Sequence, residues 1–260
     1  MSSLRGKTAI VGAADSEIGV VPNMTATELC IQASMRALKD AGLQQNQIDG
    51  LITCNSMAQP IMYHAEAIAE YLQIFPRYCI SVGTGGSTTF TTVHHAASAI
   101  ATGMADVILI TMADSLRSGL TRERAMLIQS ASGHPEYEQP YGPTVPAYYA
   151  LIGQAHAAKY GTTPEQFASI AVTCRRNAGL NPSAQMQDPI SVEDVINSRM
   201  IADPLHLLDC SLVSDGGSVK ESVVVAVQKK LPKGVFVLPA QPLAAVSYNH
   251  LLAHETVLDL

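Results

Sequence analysis

The residues with the clearest chemical potential form one short run, Gly83-Thr84-Gly85-Gly86-Ser87-Thr88-Thr89. It follows an apolar segment, Tyr78 to Val82, with the character of a buried strand. It opens a helical pattern that runs to about Thr102 and is stopped by Gly103. Glycines let a backbone take unusual angles and approach a ligand closely. The first-turn N–H groups of a helix have no partner inside it and carry the positive end of its dipole. Such a turn suits an oxyanion or a thioester carbonyl. A tight packing turn would use the same residues, and at this stage both readings stand.

Other candidates are weaker. Gly12 to Gly19 reads GAADSEIG; a dinucleotide fingerprint needs glycines at its first, third and sixth positions, and only Gly12 fits. No Tyr-x-x-x-Lys pair supplies a proton relay for a short-chain reductase. Five cysteines, Cys30, Cys54, Cys79, Cys174 and Cys210, are an odd number without CxxC spacing. They predict neither a disulfide framework nor a zinc site, and a reducing compartment. His94 and His95 fall two turns into the helix after Gly86, about 10 Å along its axis, so a structural role is expected, one ring facing the core or a dimer partner. His64, His156 and His206 are lone residues with core or surface readings. Asp209, Cys210 and Asp215 read as a buried turn of the sheet. Arg117, Arg122, Arg124, Arg175 and Arg176 are cations within reach of ligand phosphates, although arginine on a helix is more often simply solvated.

The elements that must hold this turn alternate. Thr8–Ala14, Ile48–Cys54, Tyr78–Val82 and Asp106–Met112 are apolar strand runs, and helices are expected at Thr25–Ala41, Tyr63–Leu72 and up to Thr102. Thr25 with Glu28 makes a capping box, and Gly42 ends that helix. Apolar strands separated by helices predict an α/β fold with a parallel sheet covered on both faces. From about Ser115 to Pro204 the chain is richer in Pro, Tyr, Arg and Gln. Helices are expected at Val145–Tyr160, from a Thr163 cap with Pro164 to about Asn177, and from Ser191 with Asp194. This stretch reads as a helical insertion over one end of the sheet. Strands return at Leu207–Val213, Glu221–Val227 and Val235–Leu238. The expected division is 1–114, 115–204, 205–232 and 233–260.

The strand, the glycine turn, the helix and then Ala99-Ile-Ala-Thr-Gly-Met-Ala-Asp-Val-Ile-Leu-Ile110 together resemble the nucleophile segment of the thiolase superfamily. Glu138-Gln-Pro-Tyr-Gly142 with Pro146-Ala-Tyr-Tyr-Ala150 is similar to the sterol-carrier-protein-type, lipid-transfer-protein-like branch. So are Lys159-Tyr-Gly-Thr-Thr-Pro-Glu165 with Asn181-Pro182, and Asp203-Pro-Leu205 with Leu208-Asp-Cys210 and Ser214-Asp-Gly-Gly217. The resemblance implies a layered α/β/α fold with a mainly parallel mixed sheet, acting on CoA thioesters. The position of the acyl-forming cysteine falls on Gly86, so transfer through a thiolate is not available in the usual way. Catalytic residues are left unassigned, while Gly85, Gly86 and Ser87 are implied to hold the thioester carbonyl. The second thiolase half is expected to be largely absent beyond about Val235, and Gly133-His134-Pro135 spells one of its turns only by coincidence.

Relatives without the cysteine resemble steroid side-chain aldolases, which break a carbon–carbon bond by retro-aldol chemistry and work with a small OB-fold partner. That implies an aldolase of lipid metabolism within an acyltransferase family, with acyl-CoA as ligand and no cofactor beyond the coenzyme A of the substrate. Two rivals stand beside it. One is a non-catalytic acyl-CoA-binding or assembly subunit, a split or inactive homologue whose second half another chain supplies. The other is an acetyl-CoA acyltransferase using a displaced Cys79 or Cys54. An apolar face left by a half-built double sheet predicts a homodimer or hetero-complex.

Composition narrows the field. The 260 residues are 47% hydrophobic and 15% charged, which excludes disorder and coiled coil. The net charge of −6, from 16 basic and 22 acidic residues, argues against a broad nucleic-acid face. Trp is absent and aromatics are 5%, which argues against stacking platforms. No segment has the roughly 20 apolar residues of a membrane span, nor the first residues the core of a signal peptide, so a cytoplasmic protein is expected.

Overall fold

The computed structural model describes residues 4, 6–131 and 133–216, and the backbone of 222–227. The chain forms two compact units. The first comprises residues 6–119, 214–216 and 222–227 of the described chain. It contains β1 (Thr8–Ala14), α1 (Ala26–Ala41), β2 (Gly50–Thr53), α2 (His64–Tyr71), β3 (Tyr78–Ser81), α3 (Thr88–Ala101), β4 (Val107–Thr111) and β5 (Asp114–Ser115). The second, within 120–213, contains α4 (Arg122–Ser130), α5 (Val145–Tyr160), α6 (Pro164–Ala178), α7 (Val192–Asn197), β6 (Met200–Ala202) and β7 (Leu205–His206). β8 (Asp215–Gly216) and β9 (Ser222–Val227) return to the first unit.

The main sheet has the order β1-β9-β4-β2-β3. β2 pairs in parallel with β3 and β4, while β9 runs antiparallel between β1 and β4. Side chains alternate across it. Leu51 and Leu109 pack with Leu29, Cys30 and Leu38 of α1 and Ile68 of α2. Ile52, Ile108 and Ile110 pack on the other face with Ala96, Ala99 and Ile100 of α3. The expected three-layer α/β/α arrangement is therefore present, with two helices on one face and one on the other.

Local signals explain the elements. Thr25 caps α1 in a reciprocal box with Glu28, and Gly42 closes it in the left-handed region at φ 67°. Thr163 with Gln166 and Ser191 with Asp194 start α6 and α7 in the same way. Gly12 is not a nucleotide turn. A Cβ there would stand 2.5 Å from the Ala37 carbonyl oxygen, so glycine lets α1 lie close on β1.

Two expectations need correction. Leu207–Val213 is not a strand: Leu207–Asp209 is a single 3-10 turn, because the Asp209 carboxylate accepts from the His206 N–H at 2.7 Å and curls the backbone. Within the second unit, β6 and β7 form a short antiparallel hairpin. Helix α4 lacks the apolar periodicity that would have exposed it. Asp209 and Cys210 do not share a turn with Asp215: they lie in the second unit, and Asp215 in the first. Val235–Leu238 lies outside the described residues.

Candidate functional site

The parallel strands end together. β2 and β3 stay in register to Thr53 and Ser81, and the Val82 N–H donates to the Thr53 carbonyl at 2.8 Å. The loop after β2 and the glycine turn after β3 therefore leave the sheet side by side. In α/β sheets, ligands bind at this carboxyl end of the strands.

The turn is shaped by hydroxyls. Gly85 sits at φ 65°, a conformation that favours glycine. The Thr88 Oγ1 donates to the Gly85 carbonyl at 2.6 Å and accepts from the Thr84 N–H at 3.0 Å. The Ser87 hydroxyl donates to the Thr84 carbonyl at 2.8 Å. Thr91 Oγ1 lies 3.2 Å from Thr84 Oγ1. Serine and threonine thus fold the turn back onto α3 and leave its glycines outermost. Gly83, Gly85, Gly86 and Ser87 are exposed, and a Cβ added at Gly86 would meet open space. The three residues proposed to bind substrate are brought together at the mouth of a helix of 14 residues.

Beside the turn, Asp114 organises the loop after β2. Its carboxylate accepts from Ser56 Oγ at 2.8 Å and from the N–H groups of Met57 at 2.7 Å, Ala58 at 3.1 Å and Ser115 at 2.9 Å. The sequence shows Asp114 only as a charge ending an apolar run; its place just past a buried strand is the signal that marks it. His64, at the start of α2, is fully buried, and among the described residues neither ring nitrogen has a hydrogen-bond partner. Burial holds its pKa below the ordinary value, against the opposing pull of the Asp114 charge. Asp215, also fully buried, accepts from the N–H groups of Val21, Arg117 and Ser118, each at 2.8 Å, and ties three loops of the first unit together.

No cysteine stands in the turn. Cys79 lies within β3, where burial and the Glu66 charge push its thiol up to about 11. Burial, with Asp209, does the same for Cys210, and burial also raises Cys174. A thiol raised this far is a poor nucleophile. His94 and His95 are both exposed on α3, so neither ring faces the core of the chain. His156 is exposed, with Nδ1 2.8 Å from Thr162 Oγ1. His206 pairs with Asp209 at 3.5 Å. His134 stacks on Tyr137 at 4.8 Å within its own loop. Arg175 donates to the Asp188 carbonyl, and Arg117, Arg122, Arg124 and Arg176 are exposed. Among the described residues there is no cluster of metal ligands and no helix long and apolar enough to cross a membrane.

A glycine-rich turn feeding a helix, at the carboxyl end of a three-layer mixed sheet, defines a thiolase-like domain. The chain belongs to the thiolase family: residues 8–225 match the thiolase N-terminal domain. It is 36% identical over 241 residues to a steroid side-chain-cleaving aldolase of Thermomonospora curvata, covering 89% of this chain and 60% of that protein. It is 34% identical over 222 residues to the 17-hydroxy-3-oxo-4-pregnene-20-carboxyl-CoA lyase of Mycobacterium tuberculosis, covering 82% and 56%. Among solved structures it resembles the Ltp2-ChsH2(DUF35) aldolase with a TM-score of 0.73 and 33% identity, over 88% of this chain and 59% of that one. The chain thus spans between 56% and 60% of the length of these two curated relatives.

Proposed function

We propose that the Gly85-Gly86-Ser87 turn binds the thioester carbonyl of an acyl-CoA whose β-carbon carries a hydroxyl, for retro-aldol cleavage without a cysteine nucleophile. One observation carries the reading: the turn opens a helix and leaves Gly86 an open approach, with glycine at the position where the resemblance to thiolases implies a cysteine. In the reaction a base takes the proton of the β-hydroxyl. The α–β carbon bond breaks, its electrons pass into a thioester enolate, and the β-carbon leaves as a ketone. The enolate then takes a proton at the α-carbon to give a shorter acyl-CoA. Backbone N–H groups aimed at the carbonyl oxygen stabilise that developing charge without any covalent acyl-enzyme. The raised thiol of Cys79, one of the two cysteines that a displaced nucleophile would use, supports this route over acyl transfer. The two relatives named as a cleaving aldolase and a CoA lyase support it from similarity. No cofactor is called for beyond coenzyme A itself.

The partner follows the same reasoning. A DUF35-type subunit, as named for the similar solved complex, and a second copy of this chain are the proposed associates. A purely binding role is favoured by the turn itself, whose hydrogen-bonded side chains are all hydroxyls and supply no acid or base. Calorimetric titration with acyl-CoA and β-hydroxyacyl-CoA, with and without such a partner and alongside an assay for ketone release, separates the two. Ketone release supports the aldolase, and tight binding without turnover supports the binding subunit. Gly86→Leu is expected to weaken binding at least tenfold. Thioester affinity unchanged by that substitution would remove the turn from the site.

A further inference from the structure

We propose that the outward face of α5 is the seat of a second copy of this chain, packed antiparallel across a two-fold axis. The 16 residues of α5 have two apolar sides. Pro146, Ala150 and Gly153 are buried within the second unit, where a Cβ on Gly153 would already touch Pro204. On the opposite side Leu151, Ile152, Ala155 and Ala158 recur at the three- and four-residue steps of one helical face, and all four are exposed. Leu151 and Ile152 each keep 64% of their surface open. A surface helix ordinarily turns charged or polar residues to water. This one turns leucine, isoleucine and alanine outward.

The charges at the two ends of that face decide what covers it. Lys159, one turn beyond Ala155, closes the face at its carboxyl end. Tyr148 opens it at the amino end, and the loop before α5 lies against that residue: Gly133 approaches the Tyr148 hydroxyl so closely that a Cβ there would not fit. The same loop carries Glu136. Lys159 and Glu136 are both exposed, and among the described residues neither has an ion pair; Lys159 meets only the Tyr160 ring, 5.0 Å from its centroid. One end of the face is therefore cationic and the other anionic. Two copies laid antiparallel bring each Lys159 to the end where the partner copy carries Glu136, and oppose their helix dipoles. A parallel pair would set like charges together. The face thus complements itself after a two-fold rotation, as an isologous contact requires. Ala155, near the middle of the face, lets the two helix axes come close. The inference rests on the second copy proposed above as an associate and gives it a surface.

Self-association of the whole chain is measured by sedimentation equilibrium. The wild type is expected to dimerise at micromolar concentration. Ile152→Glu sets an unpaired carboxylate from each copy into the contact and is expected to weaken dimerisation at least about tenfold. Its circular dichroism should match the wild type, because the position is exposed. Lys159→Glu and Glu136→Lys are each expected to weaken dimerisation roughly threefold, and the double variant to restore it. The charge reversals decide the matter if Ile152→Glu does not fold. A chain that stays monomeric overturns the proposal, whether a different protein or this chain's own last residues then hold the face. So does a dimer that Ile152→Glu leaves intact, or one that the double reversal fails to restore. Acyl-CoA titration of the wild type keeps the two readings apart. A dimer that binds no thioester counts against the proposed function and leaves this interface standing, and a monomer that binds one does the reverse.

Discussion

The two ends of the parallel sheet use the same device to different effect. At the amino end, Asp49 accepts from the N–H groups of Asp106 at 2.9 Å and Val107 at 2.8 Å. Its remaining capacity goes to Arg77, 2.8 Å away. At the carboxyl end, Asp114 accepts from three amides and a hydroxyl and has no ion pair among the described residues, and the α2 start that follows its loop carries His64, fully buried and unpaired among those residues. One end is closed in charge and hydrogen bonding. The other has an open glycine turn and an unsettled polar group. Functional sites are where local consistency is expected to fail, and here it fails at one end only.

Removing the two carboxylates in turn tests that contrast most strongly. Asp114→Ala strands four donors and is expected to cost about 3 kcal/mol of unfolding free energy, with loss of acyl-CoA binding. Asp49→Ala is expected to cost about 2 kcal/mol and to leave thioester affinity within twofold. Denaturant unfolding and calorimetry measure both. Equal loss of affinity in the two variants would mean that the ends are not functionally distinct.

Acid should separate the ends next. His64 has a lowered folded pKa, so the unfolded chain binds its proton more readily than the folded one does. Its contribution to stability is complete above the unfolded value of about 6.5. It falls as pH drops through that value towards the folded pKa, by at most about 1.4 kcal/mol per pH unit. His64→Phe is expected to flatten this part of the stability–pH curve. An unchanged slope between pH 6.5 and 5 would assign the acid loss to other groups.

Much of this fold is legible in the chain because its signals are local. A cap such as Thr25 with Glu28, or a stop such as Gly42, acts within one turn of helix, and both stand where the spacing puts them. Thr25→Ala should therefore cost about 1 kcal/mol, measured by thermal unfolding, without touching acyl-CoA affinity. Long-range pairings are different. Asp215 reaches Val21 across 194 positions and Arg117 across 98, and no spacing announces it. Leu207–Val213 reads as a strand from its apolar residues, yet one carboxylate hydrogen bond turns it into a 3-10 turn. The glycine turn is legible because its neighbours in sequence are also its neighbours in space. The hold of Asp114 on Ser56, Met57 and Ala58 is not, since 56 to 58 positions of chain separate the partners.

The smallest expected effect on stability falls on the most informative substitution. Gly86 lacks the positive φ that Gly85 has, and a Cβ there meets nothing within 4 Å. Gly86→Cys should therefore fold with a stability within about 1 kcal/mol of the wild type, the scale of a surface substitution. The new thiol would stand at the mouth of α3, which has no side-chain cap and where the positive end of the helix dipole favours a thiolate. It should react with iodoacetamide at pH 7 well ahead of Cys79 and Cys210, whose thiols burial has pushed up to about 11. Mass spectrometry of the alkylated chain gives the order directly. Fast labelling at residue 86 would show that the field which favours an anion survives at this end of the sheet without its sulfur. Labelling no faster than at Cys79 and Cys210 would mean that the turn offers a thioester oxygen shape alone, and the electrostatic part of the contrast between the two ends would be lost.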